Sequence, residues 1–136
     1  MPENTQRLTV RVYYEDTDFS GRVYHASYLR FLERGRTEWL RAFGLQHDDL
    51  AQTKGIAFAV TKLQIDFFAG STIDDLLMVA TSLHELRGPI LTFQQIVTRA
   101  TTTIASSLVD VVTIKNQRAA RPPRELLAAL AQLKRQ

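Results

Sequence analysis

The sequence predicts an α+β fold in which a five-stranded antiparallel sheet wraps around one long central helix, with a second helix at the C-terminus. The long helix is predicted over residues 26–43 because one apolar stripe runs along it. Four segments rich in Val, Ile, Thr, Leu and Phe follow, joined by links too short for the crossover helices of a parallel sheet. A wrapped sheet buries the stripe with few elements. Residues 1–136 are expected to form one domain.

A strand and a loop precede the predicted central helix. Residues 8–14 alternate between apolar and polar side chains, which predicts a half-buried strand with Tyr14 on its buried side. Residues 16–21 are rich in Asp, Thr, Ser and Gly, so a loop is expected there. Gly35 lies within the apolar stripe of the helix, which predicts close packing of the helix backbone. The whole stripe consists of Tyr28, Leu32, Gly35, Trp39 and Phe43.

The remaining chain alternates strand-like segments with turns. Residues 47–54 are polar and predict a short helical turn. Arg87-Gly88-Pro89 predicts a tight turn, and Pro122-Pro123 precedes a terminal amphipathic helix. The four predicted strands lie at residues 57–68, 76–86, 90–99 and 104–115, and the terminal helix carries Leu126, Leu127, Leu130 and Leu133 at helical spacing.

Composition excludes several classes of protein. The chain has no cysteine, which excludes disulfides, thiol catalysis and cysteine metal sites. His25, His47 and His84 lack the spacing of zinc ligands, so no metal site is expected. The net charge of +3 gives no argument for a nucleic-acid partner, and no apolar run is long enough for a membrane span. Since the N-terminal residues lack an apolar signal segment, a cytoplasmic location is expected.

Asp18 is the first candidate for chemistry, because it lies on the loop just ahead of the long helix. A helix N-terminus presents unpaired N–H groups and a positive dipole end. A carboxylate near it can therefore stay ionised, and a free N–H can bind an oxyanion. The alternative is an aspartate of the turn or of the helix N-terminus with only a capping role, and spacing alone favours that alternative for Asp18.

His25 is the second candidate. When it is projected onto the helix, its side chain falls within the apolar stripe, so it is expected to face the sheet and not open water. A buried structural histidine is the alternative role. Tyr14 and Tyr24 can each place a hydroxyl near the loop, although packing of their rings is the simpler interpretation.

Arg36 is predicted to have a structural role. It projects onto the covered face of the helix, where a permanent charge needs a partner. Glu33, three residues earlier, is the nearest carboxylate in sequence, which predicts an ion pair between the two. The chemistry that remains is a carboxylate mechanism assisted by a helix terminus.

One segment has a specific motif: it consists of Tyr14-Glu15-Asp16-Thr17-Asp18, then Gly21, Val23-Tyr24-His25 and Tyr28, then Glu33 and Arg36. This segment resembles the hotdog-fold acyl-CoA thioesterases. It is most similar to the 4-hydroxybenzoyl-CoA thioesterase-like branch and, within it, to the YbgC-type enzymes associated with the Tol–Pal system. Supporting matches follow in the expected order at Asp66-Phe67, Asp74-Asp75 and Arg121-Pro122, so nearly the whole chain is covered.

The resemblance implies a homodimer whose two sheets join edge to edge, or a homotetramer of two such dimers. It places the active sites at the subunit interface, with CoA reaching across from the partner. Asp18 matches the catalytic aspartate of the family, and His25 matches an active-site histidine whose backbone N–H polarises the thioester carbonyl. Tyr14 matches a tyrosine that lines the site. Phe19-Ser20 replaces a pair that is often smaller in relatives, which is expected to alter the acyl pocket.

The implied reaction is hydrolysis of an acyl-CoA to the free acid and CoA. A thiolate with a pKa of about 8.5, if it resembles cysteine, leaves at neutral pH without a strong acid. Asp18 is expected to act as a nucleophile that forms a mixed anhydride or as a base that activates water, and the sequence leaves both open. No cofactor is implied, because CoA is part of the substrate. Acyl-carrier protein is an alternative partner that carries the acyl group.

Other roles stay open for one residue and for the protein. Arg87 is a candidate contact for the CoA phosphates, with a solvated turn arginine as the alternative. The first rival function is a hotdog-fold hydratase or dehydratase acting on an acyl thioester. The second is a protein that binds an acyl-CoA or an acyl-carrier protein without turning it over.

Overall fold

The computed structural model describes residues 2–134, apart from the side chains of residues 53, 129 and 132–134. The strands are β1 (Gln6–Arg11), β2 (Ile56–Phe67), β3 (Leu76–Arg87), β4 (Ile90–Arg99), β5 (Thr102–Lys115) and β6 (Arg118–Ala119). The helices are α1 (Ser27–Ala42), the single turn α2 (His47–Asp49) and α3 (Arg124–Lys134). A 3-10 turn covers Tyr14–Asp16, and a π-helical turn over Leu50–Lys54 continues α2.

The strands form one antiparallel sheet in the order β1-β3-β4-β5-β2, so β1 and β2 are its two edges. The short β6 pairs with the end of β5 and adds two residues to the predicted five strands. Hairpins join β3 to β4 and β4 to β5, as their short links predict. The short link from β2 to β3 joins strands that do not pair, so it is a loop and not the hairpin that its length predicts, and the connection from β1 to β2 contains α1. The four strands predicted after the central helix are confirmed, with ends that differ by at most two residues.

The sheet wraps around α1 and encloses most of its apolar stripe. Tyr28, Leu32 and Trp39 are buried, and Trp39 packs edge-on against Phe93 of β4 with ring centroids 5.1 Å apart. Gly35 contacts the sheet directly, because a Cβ there would lie 2.7 Å from Thr81 Oγ1. The predicted close packing of the helix backbone at Gly35 is therefore confirmed.

Arg36 is held by a residue of the sheet. Its Nη1 donates a hydrogen bond to Gln95 Oε1 at 3.0 Å, and Gln95 Nε2 donates to the carbonyl oxygen of Leu32 at 2.8 Å. Burial lowers the pKa of Arg36, and the nearby charge of Glu33 raises it in part. The predicted Glu33–Arg36 ion pair is wrong, since Glu33 is exposed and the described contact of Arg36 is with Gln95. The fold brings Gln95 of β4 beside Arg36. The two residues are 59 positions apart, so the sequence does not indicate this contact.

The first strand ends earlier than predicted. β1 stops at Arg11, and the Asp16 carboxylate accepts a hydrogen bond from the Tyr13 backbone N–H at 2.8 Å, which closes the 3-10 turn. The alternation that placed Tyr14 on a buried face therefore does not apply. Tyr14 is 82% exposed, so that part of the strand prediction is wrong.

The C-terminal helix begins where the prolines predict. The carbonyl oxygen of Pro123 accepts a hydrogen bond from the Leu126 N–H, and Leu126 and Leu130 are buried. Leu133, which was predicted for the same face, has a side chain outside the described residues. No helix within residues 2–134 combines the length and apolar character that a membrane crossing requires.

Candidate active site

Asp18 lies at the tip of a tight hairpin ahead of α1. Thr17 and Val23 form an antiparallel bridge, and the Asp18 N–H donates to the Arg22 carbonyl oxygen at 2.9 Å. The Gly21 N–H donates back to the Asp18 carbonyl oxygen at 2.9 Å, and Gly21 has a φ of 82°, which glycine adopts without strain. The predicted loop is thus a hydrogen-bonded turn that fixes the Asp18 backbone.

The hairpin is attached to the link between β2 and β3. The Val23 N–H donates to the carbonyl oxygen of Ser71 at 2.8 Å, and Arg22 forms a bridge with Thr72. The side chain of Ser71 is buried and lies 2.5 Å from the hydroxyl of Tyr28 in α1. Burial raises the pKa of Tyr28, so the phenol is neutral and can donate to Ser71 or accept from it. These contacts position the hairpin against the first turn of α1.

Asp16 fixes the other side of the hairpin. Its side chain is buried, and Arg30 of α1 lies 3.5 Å from Asp16 Oδ1. The Tyr24 N–H donates to the Asp16 carbonyl oxygen at 2.9 Å. Asp16 therefore ties the hairpin, the 3-10 turn and α1 together, which gives this carboxylate a structural role beside Asp18.

The Asp18 carboxylate is exposed and ionised at neutral pH. Its Oδ1 accepts hydrogen bonds from the Ser20 hydroxyl at 2.5 Å and from the Ser20 N–H at 2.8 Å. These two bonds hold the pKa of Asp18 below its usual value, and the charge of His25 adds to the effect. The N-cap of α1 is Ala26, so Asp18 does not cap the helix. Capping of α1 by Asp18 is therefore wrong, whereas the turn role is observed, because Asp18 Oδ1 accepts the Ser20 N–H within the hairpin. The carboxylate itself stays exposed to solvent.

His25 lies one residue before the N-cap, and its ring is exposed. The ring packs against Tyr24, with centroids 4.6 Å apart and planes inclined at 57°. The prediction that His25 faces the sheet is wrong, because the residue precedes α1 and helical projection does not extend to it. The backbone N–H of His25 has no acceptor among residues 2–134. A backbone N–H without an acceptor at this place can donate to an incoming oxygen.

Apolar side chains are exposed around the hairpin and along the edge strand β2. Tyr14 and Phe19 project from the hairpin region into solvent. Phe67, at the end of β2, is 44% exposed and packs its other side on Tyr28, with ring centroids 5.5 Å apart. Phe68 and Val60 are exposed on the same segment. The patch formed by Tyr14, Phe19, Val60, Phe67 and Phe68 is called the edge patch below.

Arg87 lies at the far end of the sheet from Asp18. The hairpin is attached beside Asp75, at the start of β3, whereas Arg87 is the last residue of β3. At a rise of about 3.3 Å per residue, the two ends of this strand are roughly 36 Å apart. Arg87 is also 3.4 Å from Glu85 and 3.7 Å from Asp110. The structure therefore does not bring Arg87 and Asp18 together within one chain.

The sequence did not single out two residues that fix the site. Ser20 was considered only with Phe19, as a pair that alters the acyl pocket, yet its role in the structure is to hold the Asp18 carboxylate. The Asp-x-Ser-Gly spacing of a side-chain-stabilised turn is the signal that indicates this role. Ser71 gives no such signal, because its contact with Tyr28 joins residues 43 positions apart.

A central helix wrapped by a curled antiparallel sheet is the hotdog fold, and comparisons with known proteins agree. Residues 12–130 match the model of the thioesterase-like superfamily. An acyl-CoA thioesterase, YbgC of Haemophilus influenzae, is 40% identical over 136 residues, covering 98% of this chain and 100% of that protein. The crystal structure of a probable thioesterase from Bartonella henselae is 34% identical and has a TM-score of 0.84, covering 88% of this chain and 99% of the other.

A more distant structure shares the fold. The 4-hydroxybenzoyl-CoA thioesterase from Pseudomonas sp. strain CBS-3 has a TM-score of 0.87 at 20% identity, covering 92% of this chain and 98% of that one. The chain belongs to the thioesterase-like superfamily. The predicted resemblance, the α+β hotdog fold and the enzyme class, a thioester hydrolase, are confirmed.

Proposed function

We propose that the protein hydrolyses the thioester of an acyl-CoA to the free acid and CoA, with Asp18 as the reacting carboxylate. The observation that carries the proposal is an ionised, exposed carboxylate held by Ser20 on a hairpin attached to the start of α1. The similarity to an acyl-CoA thioesterase along nearly the whole chain supports acyl-CoA as the substrate. Acyl-carrier protein remains the alternative carrier, and a cytoplasmic location stays a prediction.

Two reaction routes that use Asp18 lead from the thioester and water to the acid and CoA. In the first, a carboxylate oxygen attacks the thioester carbon, the C–S bond breaks, and CoA leaves as the thiolate; water then hydrolyses the mixed anhydride and restores Asp18. In the second, Asp18 takes a proton from a water molecule, and that water attacks the carbonyl carbon directly. The C–S bond then breaks, CoA leaves as the thiolate, and the thiolate takes up the proton from Asp18. Both routes develop negative charge on the carbonyl oxygen, and the N–H of His25 is the donor proposed to stabilise it. Losing one such donor typically costs about 10²–10³ in rate.

Isotope labelling separates the two routes. A single turnover in ¹⁸O-water with excess enzyme gives an acid without ¹⁸O if Asp18 is the nucleophile, since the first oxygen transferred comes from the carboxylate and water attacks the Asp18 carbonyl. Direct attack by water gives an acid that carries ¹⁸O in that first turnover. Mass spectrometry of the product and of the Asp18 peptide reads out both cases.

We also propose that the site is completed by a second copy of the chain. β2 is an edge strand without a neighbour on its outer side among residues 2–134, and it exposes Val60 in its middle and Phe67 at its end. Antiparallel pairing of two β2 edges would bury apolar side chains. It would also place the end of one sheet that carries the Asp18 hairpin beside the opposite end of the partner's sheet. The partner subunit's Arg87 would then lie near Asp18, which supports its proposed contact with CoA phosphates. Two such dimers form the proposed homotetramer, and Tyr14 lines the completed site.

The test is an acyl-CoA panel run on the parent protein and on Asp18→Asn. Aromatic, short aliphatic and long fatty acyl-CoAs are supplied, and thiol release is measured for each. The parent is expected to release thiol from at least one acyl class, and Asp18→Asn to lose most of that activity. Asp48→Asn is the matched control, because Asp48 is an exposed carboxylate on α2, and its variant should keep full activity.

Two results would overturn the proposal. One is no thiol release from any acyl-CoA or acyl-carrier-protein substrate, which would favour a binding protein. The other is a loss of enoyl absorbance without thiol release, which would indicate a hydratase.

A further inference from the structure

A cavity of about 410 Å³ lies beside the hairpin, on the side of the link between β2 and β3. Two arginines line it from different elements: Arg22 from the hairpin and Arg99 from the end of β4. The remaining lining residues are Gly70, Ser71, Thr72 and Asp75. This set is called the arginine cavity below. None of the residue roles discussed so far accounts for two guanidinium groups in one cavity.

Arg99 is partly used by the fold. Its Nη1 donates to the Gly70 carbonyl oxygen at 2.7 Å and lies 3.3 Å from Asp75 Oδ2. The same Asp75 oxygen accepts the Thr72 N–H at 2.9 Å. The one carboxylate in the cavity is therefore engaged by two donors. Arg99 fixes the shape of the link and directs one positive charge to the cavity wall.

Arg22 has a fixed backbone and an unpaired side chain. Its carbonyl oxygen accepts the Asp18 N–H, and it forms a bridge with Thr72. Within the described chain, its guanidinium has no hydrogen-bond or ion-pair partner. The side chain passes over Gly70, where an added Cβ would lie 3.4 Å from Arg22 Cδ. The glycine therefore leaves room for the arginine to lie along the link and reach the cavity.

The charges in the arginine cavity do not balance. Two guanidinium groups face one carboxylate, and that carboxylate already accepts from Arg99 and from a backbone N–H. The guanidinium of Arg22 and the hydroxyl of the exposed Thr72 remain as donors that can bind a further anion. Arginine presents several N–H donors in a fork that fits phosphate or carboxylate oxygens. An oxyanion is the chemical class of ligand that such a cavity takes.

We propose that the arginine cavity binds the phosphate attached directly to the pantetheine arm of the substrate. This rests on the proposed function, because it assigns a part of an acyl-CoA or acyl-carrier-protein substrate. Asp18 and Arg22 belong to one hairpin, and the Arg22 side chain extends over Gly70 to the cavity, so the pantetheine arm has to span the distance from Asp18 to that side chain. The reacting carboxylate and the phosphate contact thus come from one chain.

The solvent exposure of the arginine cavity favours the phosphate as its ligand over a carboxylate carried by the acyl group. Arg22, Gly70 and Thr72 are exposed, so the cavity opens to solvent. A phosphate at the surface keeps part of its hydration, whereas an acyl group gains most from being enclosed. CoA carries several phosphates, so the partner subunit's Arg87 and this cavity can hold different ones.

The kinetic test uses one acyl group on three thiols: CoA, 4′-phosphopantetheine and pantetheine. Arg22→Ala is expected to raise KM for the first two about 10- to 100-fold, the effect of one charge-assisted hydrogen bond, with little change in kcat. KM for the pantetheine thioester should be the same in the parent and in Arg22→Ala. Arg22→Lys should restore part of the KM effect. Arg7→Ala is the matched control, because Arg7 is an exposed arginine on β1, and its variant should behave as the parent.

A binding measurement separates this inference from the proposed function. Calorimetric titration with 4′-phosphopantetheine and with dephospho-CoA should show the same 10- to 100-fold loss of affinity in Arg22→Ala. The Asp18→Asn protein should bind both ligands as the parent does. Binding lost in Arg22→Ala supports the cavity even if no thioester is hydrolysed. Equal KM changes for all three thioesters, or a KM change with the CoA thioester that is absent with the 4′-phosphopantetheine thioester, would overturn it.

Discussion

A Cβ atom on Gly35 would lie 2.7 Å from Thr81 Oγ1, closer than a side chain and a hydroxyl can approach. Val79 and Gln95 also lie within 3.0 Å of that position. The helix backbone is thus seated directly on β3 and β4, and the position of α1 is set by the absence of a side chain. The hairpin is tied to the first turn of α1, so the same contact positions Asp18.

Gly35→Ala is expected to destabilise the fold by about 1–3 kcal/mol, because the added methyl overpacks this contact. In an exposed helix the same change would stabilise by about 1 kcal/mol, so the sign of the effect is diagnostic. Urea unfolding followed by circular dichroism measures the difference. A variant more stable than the parent would show that α1 can move away from the sheet without cost.

Gln95→Leu is expected to destabilise the protein by about 2–4 kcal/mol, since it leaves the Arg36 guanidinium without its partner. The double variant Gln95→Leu with Arg36→Met should recover part of the loss, because no buried charge is then unpaired. The unfolding midpoints of the parent, the two single variants and the double variant together form a double-mutant cycle, which measures the interaction between Gln95 and Arg36. Additive losses would mean that Gln95 and Arg36 do not interact energetically.

Ser20→Ala is expected to move the acid limb of kcat/KM to higher pH. The Ser20 hydroxyl lowers the pKa of Asp18, and activity that needs the ionised carboxylate is lost as the pH falls through that pKa. Removing the hydroxyl returns the pKa towards the usual value of about 3.9. A pH–rate profile of the two proteins measures the shift. If the acid limb lies at the same pH in the parent and in Ser20→Ala, the limb reports the titration of a group other than Asp18.

Mixing Asp18→Asn with Arg87→Ala is expected to restore activity above the level of either variant alone. In a mixed dimer, one site combines the intact Asp18 of one chain with the partner subunit's intact Arg87. Random exchange makes about half of the dimers mixed, so activity should recover to about a quarter of the parent level. Thiol release after unfolding and refolding the mixture measures it. No recovery, although each variant folds and Arg87→Ala alone is impaired, would place both residues in one subunit's site.

The sequence predicted most of the fold because its signals are local. The apolar stripe located α1, segments rich in β-branched residues located β2 to β5, and Gly35 indicated close packing. Two of the errors share a cause: a local pattern was extended past the point where its element ends. Helical projection was applied to His25 outside α1, and strand alternation was applied to Tyr14 outside β1.

The candidate site was predicted in part, for the same reason. Asp18 and the hairpin residues are neighbours in sequence, and turn chemistry reveals them. Gln95 as the partner of Arg36, and Arg99 as a neighbour of Arg22, become visible only when the sheet is assembled. Contacts between residues so far apart depend on strand order, which the sequence of one chain does not specify.

The place of β2 in the sheet has a consequence for how the chain folds. Within residues 2–134, β2 pairs only with β5, from Phe67 with Ala105 to Ile56 with Lys115, although β3 and β4 are synthesised between them. Such long-range pairing slows folding, because a large loop must close before the strand is covered. We expect newly made chains to expose both edges of β2 until β5 is complete, and to depend on chaperones or low concentration during that interval.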